Sequence, residues 1–242
     1  MATYNGEKYI KDQLSSILQQ ISDYDEIIIS DDHSTDNTLE IVRDIKDKRI
    51  NLFINEGEKG FTSNFENALK KATGDIIFLS DQDDIWLPEK TSTMVSYLQE
   101  YDLVVADAKV TDESLNVTNE SFFSIFNSGP GILKNLGYNT YYGYSIALRK
   151  TVLEKALPFP KNREVAFDIW LGFVGEIIGR VKFINKPLVL YRRSSNTVTT
   201  IKKSDRPLLG KLYKRLVIFW YTADFYLKNK CILKKINVFL KK

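Results

Sequence analysis

The sequence predicts an α/β protein built on a mostly parallel, doubly wound sheet. Short apolar runs rich in isoleucine and valine alternate with segments whose apolar residues recur at helical spacing, the pattern of strands joined by crossover helices. Two of these runs end in acidic clusters, Asp31-Asp32 and Asp81-Gln82-Asp83-Asp84, and in such sheets ligands bind beyond the carboxyl ends of the strands. Apolar residues make up 43% of the 242 positions, enough for a sizeable core in one large domain with or without an appendage.

The elements follow in order. Ile10, Leu14, Ile17, Leu18 and Ile21 share a helical face after the Asn5-Gly6 turn. Residues 26–30 read as a buried strand with Ile27, Ile28 and Ile29 at its centre, and Asp31-Asp32 stand at its carboxyl end. Ser34, Thr35 and Asp36 offer caps to a helix carrying Leu39, Val42 and Ile45. Residues 50–54 form a second strand; Phe65, Ala68, Leu69 and Ala72 mark a helix that Gly74 is expected to end. Residues 75–80 form a third strand, Met94, Val95 and Leu98 a helix, and residues 103–106 a fourth strand. Farther on, Phe167, Leu171, Val174 and Ile178 line one face of a helix.

Composition narrows the class. A single cysteine, Cys231, excludes an internal disulfide framework and fits a reducing, cytoplasmic setting. The first residues are polar and turn-like, so no signal peptide is expected, and no run of about 18 apolar residues suggests a membrane span. Residues 202–242 carry 12 lysines and arginines against Asp205 and Asp224, a net of +10; the other 22 basic and 29 acidic residues give 1–201 a net of −7. Residues 207–242 mix leucines and aromatics with lysines, as an interfacial helix at the inner face of a membrane does. A helical hairpin packed on the body accounts for the same pattern.

Three carboxylates within Ser80-Asp81-Gln82-Asp83-Asp84 repel one another unless a cation sits among them. Mg2+ and Mn2+ prefer oxygen ligands, and Mg2+ is typically held by one or two carboxylates plus substrate phosphates. At a strand tip, Asp81 and Asp83 can face one pocket by period two. A solvated acidic turn is the competing reading. A calcium loop does not fit, because Ile85 and Trp86 stand where a further oxygen ligand and a glycine would be needed. An aspartyl phosphotransferase would leave Asp31-Asp32 unexplained.

These segments resemble a known family. Residues 2–6 (Ala-Thr-Tyr-Asn-Gly), residues 30–38 from Ser30 to Thr38, and residues 78–86 from Phe78 to Trp86 are similar, in order and spacing, to the signatures of family 2 glycosyltransferases of the GT-A fold. With Leu87-Pro88-Glu89-Lys90, the last segment resembles the bacterial rhamnosyltransferase-like branch. The likeness is clear to about residue 110, patchier to about 197 and absent from the tail. It implies a GT-A domain over 1–206, with a nucleotide-sugar half at 1–110 and an acceptor half at 111–206, followed by a basic helical tail at 207–242. It implies inverting transfer from a nucleotide-diphospho-sugar, such as dTDP-rhamnose, to a saccharide acceptor in surface polysaccharide synthesis, with Mg2+ or Mn2+ as cofactor and no nucleic-acid partner. A lipid-linked acceptor would suit a membrane-bound tail.

The resemblance also implies roles. Thr3, Tyr4 and Asn5 would touch the nucleotide, Asp31 or Asp32 the base, Asp81 the ribose and metal, and Asp83 the metal. Asp168 would be the base that removes the acceptor hydroxyl proton; an acid favoured by the helix dipole is the alternative. Asp84, Trp86, Gly143, Tyr144, Trp170, Arg192 and Arg193 are weaker candidates for acceptor or diphosphate. Two departures stand out. Related sequences often carry His before the base and after the Tyr-Arg-x run; here Phe167 and Ser194 stand there. The one histidine, His33, reads as a turn residue. These departures keep open a catalytically silent nucleotide-sugar-binding protein or membrane scaffold. Finally, the motif at 2–6 belongs at the end of a strand. Met1 is therefore expected to be internal to a longer protein, with roughly 5–10 strand residues ahead of it.

Overall fold

The computed structural model describes residues 1–193 and 206–239, with side chains through residue 230. The chain runs β1 (Ala2–Thr3), α1 (Ile10–Leu18), β2 (Ile27–Asp31), α2 (Thr38–Asp44), β3 (Ile50–Ile54), α3 (Phe61–Lys71), β4 (Ile76–Phe78), β5 (Ile85–Trp86) and α4 (Lys90–Tyr97). It continues with β6 (Leu103–Thr111), β7 (Val117–Asn119), α5 (Phe122–Phe126), α6 (Ile132–Gly137), a 3-10 turn at Gly143–Ser145, β8 (Ile146–Arg149), α7 (Lys150–Ala156), α8 (Phe167–Ile178), β9 (Val181–Arg192) and α9 (Leu208–Phe239). Ser194 and the side chains of Cys231, Lys234 and Lys235 lie outside this description.

The α/β class holds, but the sheet is divided and only partly parallel. β1, β2 and β3 pair in parallel, in that order. The second sheet has the order β4-β8-β6-β9-β5, with β7 on β6. In it only β6 and β9 are parallel; β8 runs antiparallel to β4 and β6, and β5 antiparallel to β9. The reason is topological. A parallel neighbour needs a crossover that carries the chain back to the starting end of the sheet. After β6 the chain makes β7, two helices of five and six residues and the 3-10 turn, with no long helix to carry it back past the start of β6; β8 enters the sheet beside Val105 and runs the other way, to Leu103. α8, with 12 residues, supplies the crossover that β9 needs.

Helical spacing translates into burial: Ile10, Leu14 and Ile17 of α1 pack with Ile27 and Ile29 of β2. α3 stops earlier than the position of Gly74 suggests. Ala72 is already extended, and Thr73 is tied down by its N–H donating to Glu26 Oε1 at 2.7 Å. The largest core lies between the second sheet and α8, where Leu171, Phe173 and Val174 are fully buried. α9 seals one edge of it through Ile218 and the Phe225 ring, 5.4 Å from Trp170.

Gly172 of α8 shows how tight that packing is. A Cβ there would lie 2.5 Å from ring atoms of Tyr141, whose hydroxyl is itself held by Glu176. Ala is favoured over Gly inside a helix by about 1 kcal/mol, but overpacking costs about 1–3 kcal/mol and the pinned ring cannot move aside. Gly172→Ala is therefore expected to lower the melting temperature by at least ~2 °C. Gly210→Ala in α9, where a Cβ meets nothing within 4 Å, should leave it unchanged or slightly higher. Thermal unfolding followed by circular dichroism checks both.

Candidate active site

The loop after β1 is knitted to the loop after β2. Asn5 takes a left-handed backbone (φ 46°); its N–H donates to Ser34 Oγ at 2.8 Å, and its Oδ1 accepts the Thr35 N–H at 2.8 Å. Asp31 is fully buried and accepts from Thr3 Oγ1, the Ser34 N–H and the Ser34 hydroxyl. Asp32 accepts from Asn55 and from the Gly60 N–H. Both carboxylates thus organise loops. His33 sits at φ 63° with its ring on the Asn55 carbonyl, the turn geometry expected of it. Tyr4 is left 51% exposed at the rim.

Gln82 joins this loop to the acidic strand tip. Its amide takes the Tyr4 N–H at 2.9 Å and gives a proton to the Tyr4 carbonyl at 3.0 Å, pairing with the backbone as a neighbouring strand would. Gly6 has to be glycine for this: a Cβ there would stand 2.4 Å from Gln82 Oε1.

Beyond β4, Asp81, Asp83 and Asp84 crowd together. Burial raises all three carboxyls. Asp81 is pushed up to about 7, with Asp83 and then Asp168 adding repulsion. Asp84 goes well above its ordinary value, with Asp83 and Asp81 adding to burial. Asp83 is raised by burial and held back by Arg192 and Arg193. Asp84 Oδ1 accepts the Arg192 N–H at 3.0 Å, while its buried Oδ2 has no hydrogen-bond partner among the described residues. Arg192 is anchored by Nε to the Asp83 carbonyl at 2.9 Å and by Nη1 to the Glu113 carbonyl at 2.9 Å, and it lies 4.6 Å above the Tyr9 ring.

Asp168 opens α8 on the same side. It is half-buried, accepts the Ile169 N–H at 2.6 Å, and burial pushes it up to about 6. Gly143 packs between the two acids' surroundings: a Cβ there would lie 2.8 Å from the Phe167 ring and 3.9 Å from Asp81 Oδ1. Phe167, at the position where related sequences carry histidine, stacks on Phe65 at 4.2 Å and belongs to the core.

Four of the weaker candidates, Trp86, Trp170, Tyr144 and Arg192, are buried. Trp86, in β5, is buried against Phe78, and Trp170 donates its indole N–H to the Ala156 carbonyl and packs on Phe225, so both rings are taken up in core packing. Both aromatics complete core layers. Tyr144 is also buried, stacked on Tyr191 at 4.3 Å. Arg192 serves as a clamp on the strand tip; Arg193, half-buried with Nη1 on the Tyr191 hydroxyl, is the more available cation. Two residues with no role assigned from sequence prove central: Gln82, and Lys90, which is fully buried 4.3 Å over the Trp86 ring with Nζ on the Tyr144 carbonyl. Lys90 is held down to about 7 by burial, opposed by the fields of Asp84 and Asp81. Its place in a four-residue motif behind the acids was the signal for it.

Comparison with known proteins agrees with this geometry. The family described as "Glycosyl transferase family 2" matches residues 1–157. The chain is 29% identical over 209 residues to the UDP-Glc:alpha-D-GlcNAc-diphosphoundecaprenol beta-1,3-glucosyltransferase WfgD of Escherichia coli, covering 84% of this chain and 79% of that one. It is 30% identical over 245 residues to WfaP of Escherichia coli, which bears the same description, covering 95% and 93%. Among solved structures, S. aureus TarS in complex with UDP-GlcNAc superposes with a TM-score of 0.63 at 23% identity, over 81% of this chain and 58% of that one. With a GT-A-like α/β core, acids gathered at its strand ends and these relatives, the chain belongs to glycosyl transferase family 2.

Proposed function

We propose that the chain transfers a hexosyl group, with inversion, from a nucleotide-diphosphate donor to a lipid-linked saccharide acceptor in surface polysaccharide synthesis. The observation that carries this reading is that Asp81, beyond the tip of β4, and the start of α8 with Asp168 close on Gly143 from two sides: its Cβ position lies 3.9 Å from Asp81 Oδ1 and 2.8 Å from the ring of Phe167, the residue before Asp168, and, after burial and Asp83, Asp168 helps to raise the Asp81 carboxyl. The two E. coli relatives make UDP-glucose the first donor to test. The motif at 78–90 makes dTDP-rhamnose the second.

The residues present suit Mg2+ or Mn2+. Asp81 and Asp83 are half-buried carboxylates, and the Asp84 Oδ2 beside them has no hydrogen-bond partner among the described residues. Among the described residues no group of three or more His, Cys, Asp or Glu could hold a metal ion. The cation would therefore be shared between Asp81, Asp83 and donor phosphate oxygens, as hard divalent cations commonly are. Bound there, it would neutralise charge developing on the departing diphosphate. Arg193 adds positive charge on the same side. Tyr4, exposed above the Gln82 clamp, is placed to cover the nucleotide, with Thr3, Asn5, Asp31 and Asp32 fixing the loops beneath. Asp168 would take the proton of the acceptor hydroxyl. Gly143 would leave room for that acceptor beside Phe167. Asp83→Ala is expected to abolish transfer and metal-dependent UDP binding with the fold retained; unchanged turnover would exclude the cation site.

Asp168 makes a prediction in two parts. As the base it must be ionised, so turnover should fall as pH drops below about 6. Asp168→Asn should cut turnover by roughly 10²–10⁴-fold with donor affinity nearly unchanged. Ionisation also costs stability. A carboxyl raised from 3.8 to about 6 holds its proton longer in the folded state, so stability falls as pH rises through that window. The half-buried position tempers the effect. Asp168→Asn should be more stable than the parent by roughly 1–3 kcal/mol at pH 7.5, with the difference gone near pH 4. A pH–rate profile and melts at both pH values test this; a selective loss of donor binding would reassign Asp168.

α9 supports a peripheral membrane contact. One face docks on the body, but Leu209, Leu212, Leu216, Phe219 and Trp220 are all more than 50% exposed or close to it, with Lys211, Lys214 and Arg215 between them. No helix among the described residues is long and apolar enough to cross a membrane. Such a face suits an anionic lipid surface. Leu216→Glu with Trp220→Glu should abolish flotation with phosphatidylglycerol vesicles at low salt while leaving the melting temperature within about 2 °C, because neither side chain belongs to the core.

A further inference from the structure

The face of α9 that docks on the body ends in lysines. Ile218, Thr222 and Phe225 recur at helical spacing; Ile218 and Thr222 are buried, and Phe225 meets Trp170. One and two turns earlier the same spacing falls on Lys214 and Lys211. In sequence they stand among the outer leucines, but they lie across the helix from Leu209 and Leu216. Contacts on both flanks fix what they overlook. On one flank Arg215 Nη2 donates to the Gly137 carbonyl at 2.9 Å. On the other, Arg206 Nη1 pairs with Glu164 Oε2 at 2.6 Å. There Asn162 also closes a groove of about 450 Å³ with Tyr213, Leu216, Val217, Trp220 and Tyr221. Asp168 stands between the flanks: it follows Glu164 in one segment, and Asn139 follows Gly137 in the other. Burial raises its carboxyl, while the Ile169 N–H, Lys214 and the Asn139 amide hold it back. Residues 206–223 contain no acid. Among the described residues neither the Lys211 nor the Lys214 ammonium makes a hydrogen bond or an ion pair.

We propose that Lys211 and Lys214 bind the diphosphate of a single-chain lipid acceptor, and that the groove beside them takes the first part of its chain. This site rests on the transfer to a lipid-linked acceptor proposed for the chain, and it locates that acceptor's charged group. Charge complementarity identifies the occupant. A diphosphate that brings its sugar to Asp168 meets Asp81, Asp83 and Asp84 beyond it, so it is held only if cations stand on the side from which it arrives. Lysine suits phosphate as a compact charge with three donors. Residues three apart on a helix have Cβ atoms about 5–6 Å apart, so the two ammonium groups can each reach one of two linked phosphoryl groups. The chain has a path as well. Leu216 and Trp220 belong both to the groove and to the exposed outer face of α9, so an apolar chain entering the groove leaves along that face. The turn of both lysines toward the body favours this acceptor over the headgroups of surrounding lipid as their partner.

The test titrates dodecyl diphosphate, below its micelle concentration, into the full chain in EDTA, where the acids after β4 have no divalent cation through which to hold it. The parent should bind it at least about tenfold more tightly than methyl diphosphate, which lacks the chain. Lys211→Ala with Lys214→Ala should weaken dodecyl diphosphate at least about tenfold, with the melting temperature within about 2 °C of the parent and Mn2+-dependent UDP affinity unchanged. Lys228→Ala with Lys230→Ala removes the same charge about 21 Å farther along the helix, at ~1.5 Å per residue. That exceeds the screening length of about 10 Å at about 0.1 M salt, so this pair should change the affinity less than about twofold. Equal affinity in the parent and the Lys211/Lys214 variant overturns the proposal. So does an equal loss in the Lys228/Lys230 variant, which would make the attraction a property of the whole helix, and so does methyl diphosphate binding as tightly as the dodecyl compound. Full competition by dihexanoylphosphatidylglycerol also overturns it, by making the two lysines headgroup contacts. Failure of the transfer reading shows elsewhere, as absent UDP binding with Mn2+ in a parent that still binds dodecyl diphosphate.

Discussion

Like-charge repulsion among Asp81, Asp83 and Asp84 is the constraint around which much of this protein is arranged. Carboxylates taken out of water are costly unless countercharge or hydrogen bonds reach them. The countercharge comes from remote parts of the chain. Lys90 is brought beneath the acids by the first turn of α4, and Arg192 by the last residue of β9. β9 reaches them because Ile85 and Trp86 pair with Leu190 and Val189. The antiparallel pairing of β5 with β9 thus sets the electrostatics of the strand tip. Compensation is partial, since Asp81 and Asp84 stay raised despite these cations. A site of this kind is stable enough to fold and still short of positive charge, the state in which a cation and a diphosphate bind best together.

The same economy shows in the loops. Asp31, Asp32, Asn5 and Gln82 hydrogen-bond to backbone groups of neighbouring loops and to the Thr3, Ser34 and Asn55 side chains, which ties these loops together. Tyr4, by contrast, is tied to Gln82 through its backbone while the residue stays half exposed at the rim, where the proposed function has its ring cover a base. Rigid support beneath a few exposed groups is what precise binding requires.

Much of this was legible in the sequence. The period of Ile10, Leu14 and Ile17, the isoleucine run of β2 and the acids after β4 gave the first half nearly element by element, because each signal is local. The second half was less legible because its order depends on where short connections leave the chain, which periodicity does not encode; hence the antiparallel β8. Trp86 and Trp170 read as ligand-facing because a tryptophan beside a motif looks the same whether it lines a pocket or a core. Lys90 went unassigned because lysine is seldom fully buried, and only tertiary packing on Trp86 and Tyr144 shows its place. Gly74 looked like a helix stop, but Glu26, some 48 positions earlier, ends α3 by holding Thr73.

The central claim is that the acids after β4 recognise a nucleotide diphosphate only together with a divalent cation. Calorimetric titration of the full chain with UDP, with and without Mn2+ in excess over protein and nucleotide, tests it most directly. The account predicts binding with the metal and a loss of at least about tenfold in affinity without it. Equal affinity in both conditions would contradict it.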